Sequence, residues 1–299
     1  MSGSTKPNLF IIGAPKCGTT SLHAILAQHP QVFMTRLKEP RFFSMDSRWE
    51  KGIKWYLNKY FQYAHAYPIR GESTPSNLFW YEKTIPRIKQ LLGQDSAKFI
   101  ILLRNPIERA YSHYWYNVQT KVAHTEPLDF EGALEAESSR TQITEYLRDG
   151  VLSYFYVKTG QYADQVSAFQ KAFGANNVQV LLFEDLFSER YDHLINQVEA
   201  FLGISRTPLP IIKDNASHRF KNRSIQMIIR FIKPVREVMN PYLPKSMLKL
   251  LRGKLIEGNK ESFKYPPMKA ETRQKLAAKF KQSNLDLQNL IGRDLSHWV

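Results

Sequence analysis

The chain has 299 residues, 43% of them hydrophobic, with 42 Lys+Arg against 27 Asp+Glu for a formal charge of +15, and one cysteine. This length and apolar content suit one large α/β domain with a sizeable core. The lone cysteine excludes an internal disulfide and fits a reducing, cytoplasmic setting. No apolar run approaches the roughly 18 residues of a membrane-spanning helix. The opening MSGSTKPN is polar and passes straight into the first apolar run, so no signal peptide is expected. The positive field draws anions, whether nucleic acid, an acidic membrane, a phosphorylated cofactor or a polyanionic acceptor, and does not choose among them.

In chain order, Leu9 to Ile12 are apolar and predict a short buried strand. Gly13 ends it, the loop GAPKCG follows, and TTSLHAILAQH predicts a helix. A strand, a glycine-bounded loop and a helix together make a phosphate cradle: the amides of the first helical turn lack internal partners and the dipole favours an anion. Thr19, Thr20 and Ser21 add hydroxyls and Lys16 adds a mobile charge. The ordinary nucleotide loop is G-x-x-x-x-G-K-[ST]. Gly13 and Gly18 keep that separation, but Thr19 stands in the lysine's place and the lysine lies earlier, at Lys16. That displacement argues against an ordinary ATPase or GTPase.

Val32 to Met34 is a short strand candidate, and Pro40 stops any helix beyond it. Lys38-Glu39 is either a solvated pair or a shielded carboxylate beside Phe42 and Phe43. Glu50 to Phe61 carries Ile53, Tyr56, Leu57, Tyr60 and Phe61 on one helical face, either core or a wall of a cleft. Tyr67 to Pro75 predicts a strand ending in a loop, with Glu72, Ser73 and Thr74 near the first loop or capping the next helix. Phe99 to Leu103 is a continuous apolar run, the mark of a strand buried on both faces. Arg104 then stands at its carboxyl end, where open parallel sheets bind ligands. Asn105-Pro106 opens a helix with Arg109 and Ser112 on it; a surface ion pair would account for Arg109.

Leu128 to Asp149 reads as a charged helical stretch. Gly160 to Phe173 is an amphipathic helix in which Tyr162 either packs in the core or touches a base. Val178 to Phe183 predicts another strand, and a helix runs from Glu184 to about Leu202, stopped by Gly203. Asp214 to Gln226 is polar, basic and loop-like, and His218 within it is either a bystander or near the reacting centre. From Arg219 to Lys254 there are ten Lys or Arg and one acid, Glu237. This segment is either a solvated lid or a surface for a membrane, partner or polyanion. Glu271 to Leu290 closes the chain as a helix.

Several of these stretches together resemble the sulfotransferases. PKCGTTSL (Pro15 to Leu22) is similar to their phosphosulfate loop, and KEP followed by FF (Lys38 to Phe43) to the KEPHFF signature of Golgi-type and bacterial members, with Arg41 in place of histidine. Gly52, Trp55, Tyr56 and Phe61, then GESTP, LRNPIERAYSHY, GQYADQ and FEDL continue the likeness, as do Arg223-Ser224 and the terminal GRDLSHW. Asn222 departs from it where proline is usual, and Ser73 stands where heparan-type members often carry lysine.

The resemblance implies one P-loop-like α/β domain over residues 1–299, a central parallel sheet flanked by helices on both faces, with a basic lid at about 214–265. It implies 3′-phosphoadenosine 5′-phosphosulfate as donor, no metal, and an acceptor hydroxyl or amine on a glycan, lipid or carrier-bound substrate. Lys16 and Glu39 are the implied catalytic pair, Glu39 as base. Cofactor contacts fall to Lys16, Cys17, Gly18, Thr19, Thr20 and Ser21 at the 5′ end and Arg104 and Ser112 at the 3′-phosphate. Lys221 and Arg223 are implied to close over the nucleotide, with Arg219 a further candidate. Two other classes compete, a P-loop small-molecule kinase and a polyanion or nucleic-acid binder. The kinase requires a lysine directly before the Thr/Ser; the binder leaves two phosphate loops unexplained.

Overall fold

Two apolar runs form the middle of the sheet. Leu9–Gly13 (β1) and Lys98–Leu103 (β4) pair in parallel, with Phe10 opposite Phe99. Every residue of β1 is buried, and so are Phe99 to Leu103, which requires cover on both faces. Val32–Met34 (β2), Ile69–Ser73 (β3) and Val178–Leu182 (β5) complete an all-parallel sheet in the order β2-β3-β1-β4-β5. The computed structural model describes residues 5–120, 126–140, 152, 154–212, 218–220, 260–262 and 264–298.

The helices that matter for the site are Thr19–Leu26 (α1), Asp46–Trp49 (α2), Gly52–Tyr60 (α3), Ser76–Phe79 (α4), Tyr81–Leu92 (α5) and Pro106–Thr120 (α6). The chain leaves β1 toward β2 and later crosses β1 to reach β4. The connections therefore diverge beside β1, and a parallel sheet opens a crevice there, outside the carboxyl ends of its strands. Beneath it, Phe10 stacks on Phe99 at 5.4 Å, and Phe99 on Phe173 of helix Tyr162–Phe173 at 4.3 Å. Trp298, 1% exposed, sits 6.2 Å from the Tyr162 ring and ties the C-terminal segment into the same core.

The elements depart from the sequence expectation at their ends. The first helix stops at Leu26, because Gln28 and His29 donate to Ile25 and Leu26, tightening the last turn into i→i+3 bonds. The single helix expected over 184–202 is two pieces, Phe183–Leu186 and Tyr191–Leu202, parted where the Ser188 hydroxyl accepts the Arg190 N–H at 3.2 Å. Of the stretch 128–149, Phe130–Glu135 and Glu137–Arg140 are helical, and 141–149 lie outside the described residues. The expected loop at 214–226 includes a strand, His218–Phe220, paired antiparallel with Lys260–Ser262. The two ends of the basic segment thus meet, and residues 221–259 between them, with Lys221 and Arg223, lie outside the described residues. Among the described residues no helix is long and apolar enough to cross a membrane.

Candidate active site

The loop after β1 is fixed by its backbone. Ala14 N donates to Leu102 O at 2.7 Å, which ties the loop to the neighbouring strand β4. Gly18 adopts φ 86 and precedes α1; a Cβ there would lie 3.0 Å from the Phe183 ring and 3.3 Å from Leu102 and Leu186. Glycine is needed twice over, for the left-handed backbone and for the close approach. The helical ladder begins at Leu22 N→Gly18 O, so the amides of Thr19, Thr20 and Ser21 precede it and form the anion-favouring end of α1. Thr19 and Ser21 are buried and Thr20 half-buried.

Among the described residues, the non-glycine positions with positive φ are Lys16 (69°), Glu39 (59°) and Arg41 (50°). Such backbone is costly for side-chain-bearing residues and collects at functional sites. All three lie at one edge of the sheet. Glu39 N donates to Ser73 O at 3.0 Å, at the end of β3, and Arg41 N donates to the Thr74 hydroxyl at 3.2 Å. Thr74 in turn donates to the Glu72 carboxylate at 2.6 Å. Phe42 and Phe43 belong to the hydrophobic core next to the turn. Both are fully buried and plug the turn into the core, Phe42 stacked on Tyr56 at 4.4 Å. Tyr56 is accordingly core and not cleft wall.

The charges at this edge act on one another. Burial and then the Arg104 charge push the Lys16 ammonium down to about 8, while Glu39 opposes the shift. Burial alone would raise the Glu39 carboxyl; Lys38 at 3.2 Å and Arg41 at 2.9 Å outweigh it and hold the carboxylate below its usual range. Lys16 and Arg104 thus stand at the ends of adjacent strands, close enough to repel, which is the state an anion bound between them would relieve. Arg104 lies with its guanidinium 4.6 Å from the Phe183 ring centroid. Its carbonyl accepts the Tyr162 hydroxyl at 3.0 Å, so Tyr162 is a buried brace under the strand end. Asn105 caps α6, its side chain accepting from Ile107 N at 2.9 Å, and Ser112 lies nearly buried further along that helix.

Other expected residues have different settings. The Cys17 side chain is fully buried and turned toward Tyr162, 3.9 Å away, and burial pushes the thiol up to about 11. It does not line the crevice. Arg109 is no surface ion pair. It is fully buried and donates to the Tyr156 carbonyl and toward His113 Nδ1 at 3.4 Å. Burial, and then Arg109 and Lys16, push the His113 imidazole well below its ordinary value, so it is neutral.

The sequence reading passed over two residues. Tyr116 is 47% exposed, with the Lys16 ammonium 4.2 Å from its ring centroid. It follows Ser112 by four positions on α6, a spacing that puts both on one helical face and that could have pointed to it. Glu72, placed near the first loop but given no role, is fully buried at the end of β3; burial raises its carboxyl to about 7 against hydrogen bonds from Thr74 and Asn77.

A family model described as "Sulfotransferase domain" matches residues 6–275. Human bifunctional heparan sulfate N-deacetylase/N-sulfotransferase 1 is 27% identical over 313 residues, covering 98% of this chain and 31% of its own length. Membrane-associated sulfotransferase kil1 of Dictyostelium discoideum is 36% identical over 129 residues, 42% of this chain and 26% of that protein. The chain therefore spans about a quarter to a third of the length of these curated relatives. A solved sulfotransferase from Alicyclobacillus acidocaldarius superposes with TM-score 0.70 at 27% identity over 98% of each chain. Mouse sulfotransferase SULT7A1, solved with PAP, shares the fold at TM-score 0.52 and 16% identity, over 100% of this chain and 91% of that one.

Proposed function

Because the chain belongs to the sulfotransferase domain family, we propose that it moves a sulfuryl group from 3′-phosphoadenosine 5′-phosphosulfate to a hydroxyl or amine of a glycan. The observation that carries the donor is the adjacency of Lys16 and Arg104 at neighbouring strand ends, where the Arg104 charge lowers the proton affinity of the Lys16 ammonium and α1 begins just beyond the Lys16 loop. The glycan rests on the heparan sulfate enzymes that match along almost the whole chain.

The residues present fit such a donor. Gly18, Thr19, Thr20 and Ser21 would hold the 5′-phosphate at the N-terminus of α1, where charge and orphan amides favour an anion. Arg104 and Ser112 would hold the 3′-phosphate; a planar guanidinium suits that group better than an ammonium does. Lys221, Arg223 and Arg219 are proposed as further contacts from the basic segment, and Cys17 would contribute through its backbone alone. The bound donor supplies an activated sulfuryl group. Lys16 presents a positive charge to the leaving oxygen, the electrostatic need of any such transfer. Glu39 takes the proton from the acceptor, and its two cationic partners keep it ionised and ready at neutral pH. No step of this reading needs a metal.

The test is thermal unfolding with 3′-phosphoadenosine 5′-phosphate against ATP with magnesium. At a hundredfold excess over its dissociation constant the bisphosphate should raise Tm by about 4 °C or more, and ATP with magnesium should do little. A protein stabilised by ATP-magnesium alone would return the kinase reading. Transfer of labelled sulfate from the donor into glycan, lipid or carrier-protein fractions then decides the acceptor.

A further inference from the structure

The Lys16 ammonium does not stand alone at the loop. It lies over the face of Tyr116, 4.2 Å from the ring centroid. Tyr116 belongs to α6, the helix whose N-terminus carries Arg104 and Asn105, and it projects into the crevice, half exposed. Its phenol is raised by burial and then by the Glu39 charge, with Arg41 opposing, so the ring is near the acceptor-side carboxylate as well. One aromatic ring thus stands beside the two groups that the proposed function makes catalytic.

We propose that Tyr116 is a positioning residue: its ring face is the rest on which the Lys16 ammonium is held, charged and on the Glu39 side of the crevice, before a donor arrives. This rests on the sulfotransferase reading of Lys16. An aromatic face attracts a cation through its quadrupole, worth more where the cation is partly desolvated. Lys16 needs that support. Burial and the charges of Arg104 and Lys38 favour its neutral form; Glu39 and the Cys17 side chain oppose them, and neutral His113 adds no charge. The positive φ at Lys16 fixes where the side chain starts, and the ring fixes where it ends. No hydroxyl is required for this, so phenylalanine should serve as well as tyrosine.

Two measurements separate this proposal from the function it rests on. The first uses the protein without donor. The Lys16 side chain is followed by carbon-13 NMR in lysine-labelled protein, assigned by the resonance lost in Lys16→Arg. Wild type should titrate near pH 8. Tyr116→Phe should stay within a few tenths of a unit of wild type, and Tyr116→Leu should titrate lower by about half a unit or more. Tm of the Leu variant should stay within about 2 °C of wild type, since a half-exposed ring contributes little to the core. The second measurement is the affinity for 3′-phosphoadenosine 5′-phosphate from pH 6.5 to 9.5. It should fall through the Lys16 titration in wild type and Tyr116→Phe, and at lower pH in Tyr116→Leu. A Leu variant that titrates like wild type overturns the proposal. A Phe variant that shifts with the Leu variant also overturns it, by assigning the hold to the hydroxyl. If the expected shift appears in the first measurement and no form binds the bisphosphate, the ring's hold on Lys16 stands and the donor assignment falls.

Discussion

The loop after β1 and the turn after β2 each bring a positive-φ residue and a charged side chain to the same edge of the sheet, yet they are held there by different means. The loop is a backbone device. One main-chain bond ties it to β4, Gly18 lies against the Phe183 ring, and α1 begins at once. The turn over Glu39, Pro40 and Arg41 also has one main-chain bond to a strand, Glu39 N to Ser73 O, but most of its anchors are side chains. Arg41 N leans on Thr74, Thr74 on buried Glu72, Arg48 reaches the Pro40 carbonyl, and Phe42 and Phe43 plug the core. A cradle made of amides favours an anion through its backbone, whereas the Glu39 carboxylate is kept ionised by the Lys38 and Arg41 side chains.

The sharpest way to separate the two halves is to remove one charge from each. Lys16→Ala and Glu39→Gln should each lower turnover by about a hundredfold or more, the usual scale for a charge-stabilising group or a general base. They should differ in binding. Lys16→Ala should also weaken 3′-phosphoadenosine 5′-phosphate, whereas Glu39→Gln should leave its dissociation constant within about twofold, since the proposed function puts the carboxylate on the acceptor side. A Glu39→Gln enzyme turning over at the wild-type rate would remove Glu39 as base.

The next effect in size is confined to the donor half. Arg104→Ala should raise the dissociation constant of the bisphosphate by about tenfold to a hundredfold, as expected for the loss of a charge-assisted fork. It should leave the Lys16 titration higher, because the Arg104 charge is one of the two largest causes depressing it. Calorimetry reads the first and NMR the second. An unchanged dissociation constant would sever Arg104 from the nucleotide.

The same contrast explains what the sequence disclosed. The parallel sheet was legible because Leu9 to Ile12 and Phe99 to Leu103 are unbroken apolar runs, each broken off by a residue that ends the run, Gly13 and Arg104. The backbone-built loop was legible because glycine spacing is its physical specification. The side-chain-built turn was not. Nothing in KEPRFF states that its phenylalanines point inward, because their direction is set by Tyr56 and Trp49, which arrive from later helices. Arg109 was misread for a related reason: an arginine on an amphipathic helix looks solvated until a distant carbonyl, that of Tyr156, reaches it. Glu72 shows the limit most clearly. Its segment was expected near the loop, but a carboxyl pushed up to about 7 needs complete burial, which is a property of the assembled core.

The smallest effect tests how far the brace around Glu39 matters. The Arg41 guanidinium is half exposed and hydrogen-bonds to the carboxylate at 2.9 and 3.2 Å, so solvent screens much of its influence. Arg41 and Lys38 hold the Glu39 carboxyl low, and a base is competent only above its own pKa. Its activity should therefore be present at neutral pH and decline as pH falls through that depressed value. Removing one cation raises the value, so in Arg41→Ala the acid limb of kcat/KM should move to higher pH by a few tenths of a unit. Turnover at pH 8 should change by about twofold or less, because the carboxylate is ionised in both enzymes. An acid limb that does not move would mean that Lys38 alone keeps Glu39 ionised. The positive φ at Arg41 would then owe its persistence to the Thr74 hydrogen bond and not to the carboxylate it faces.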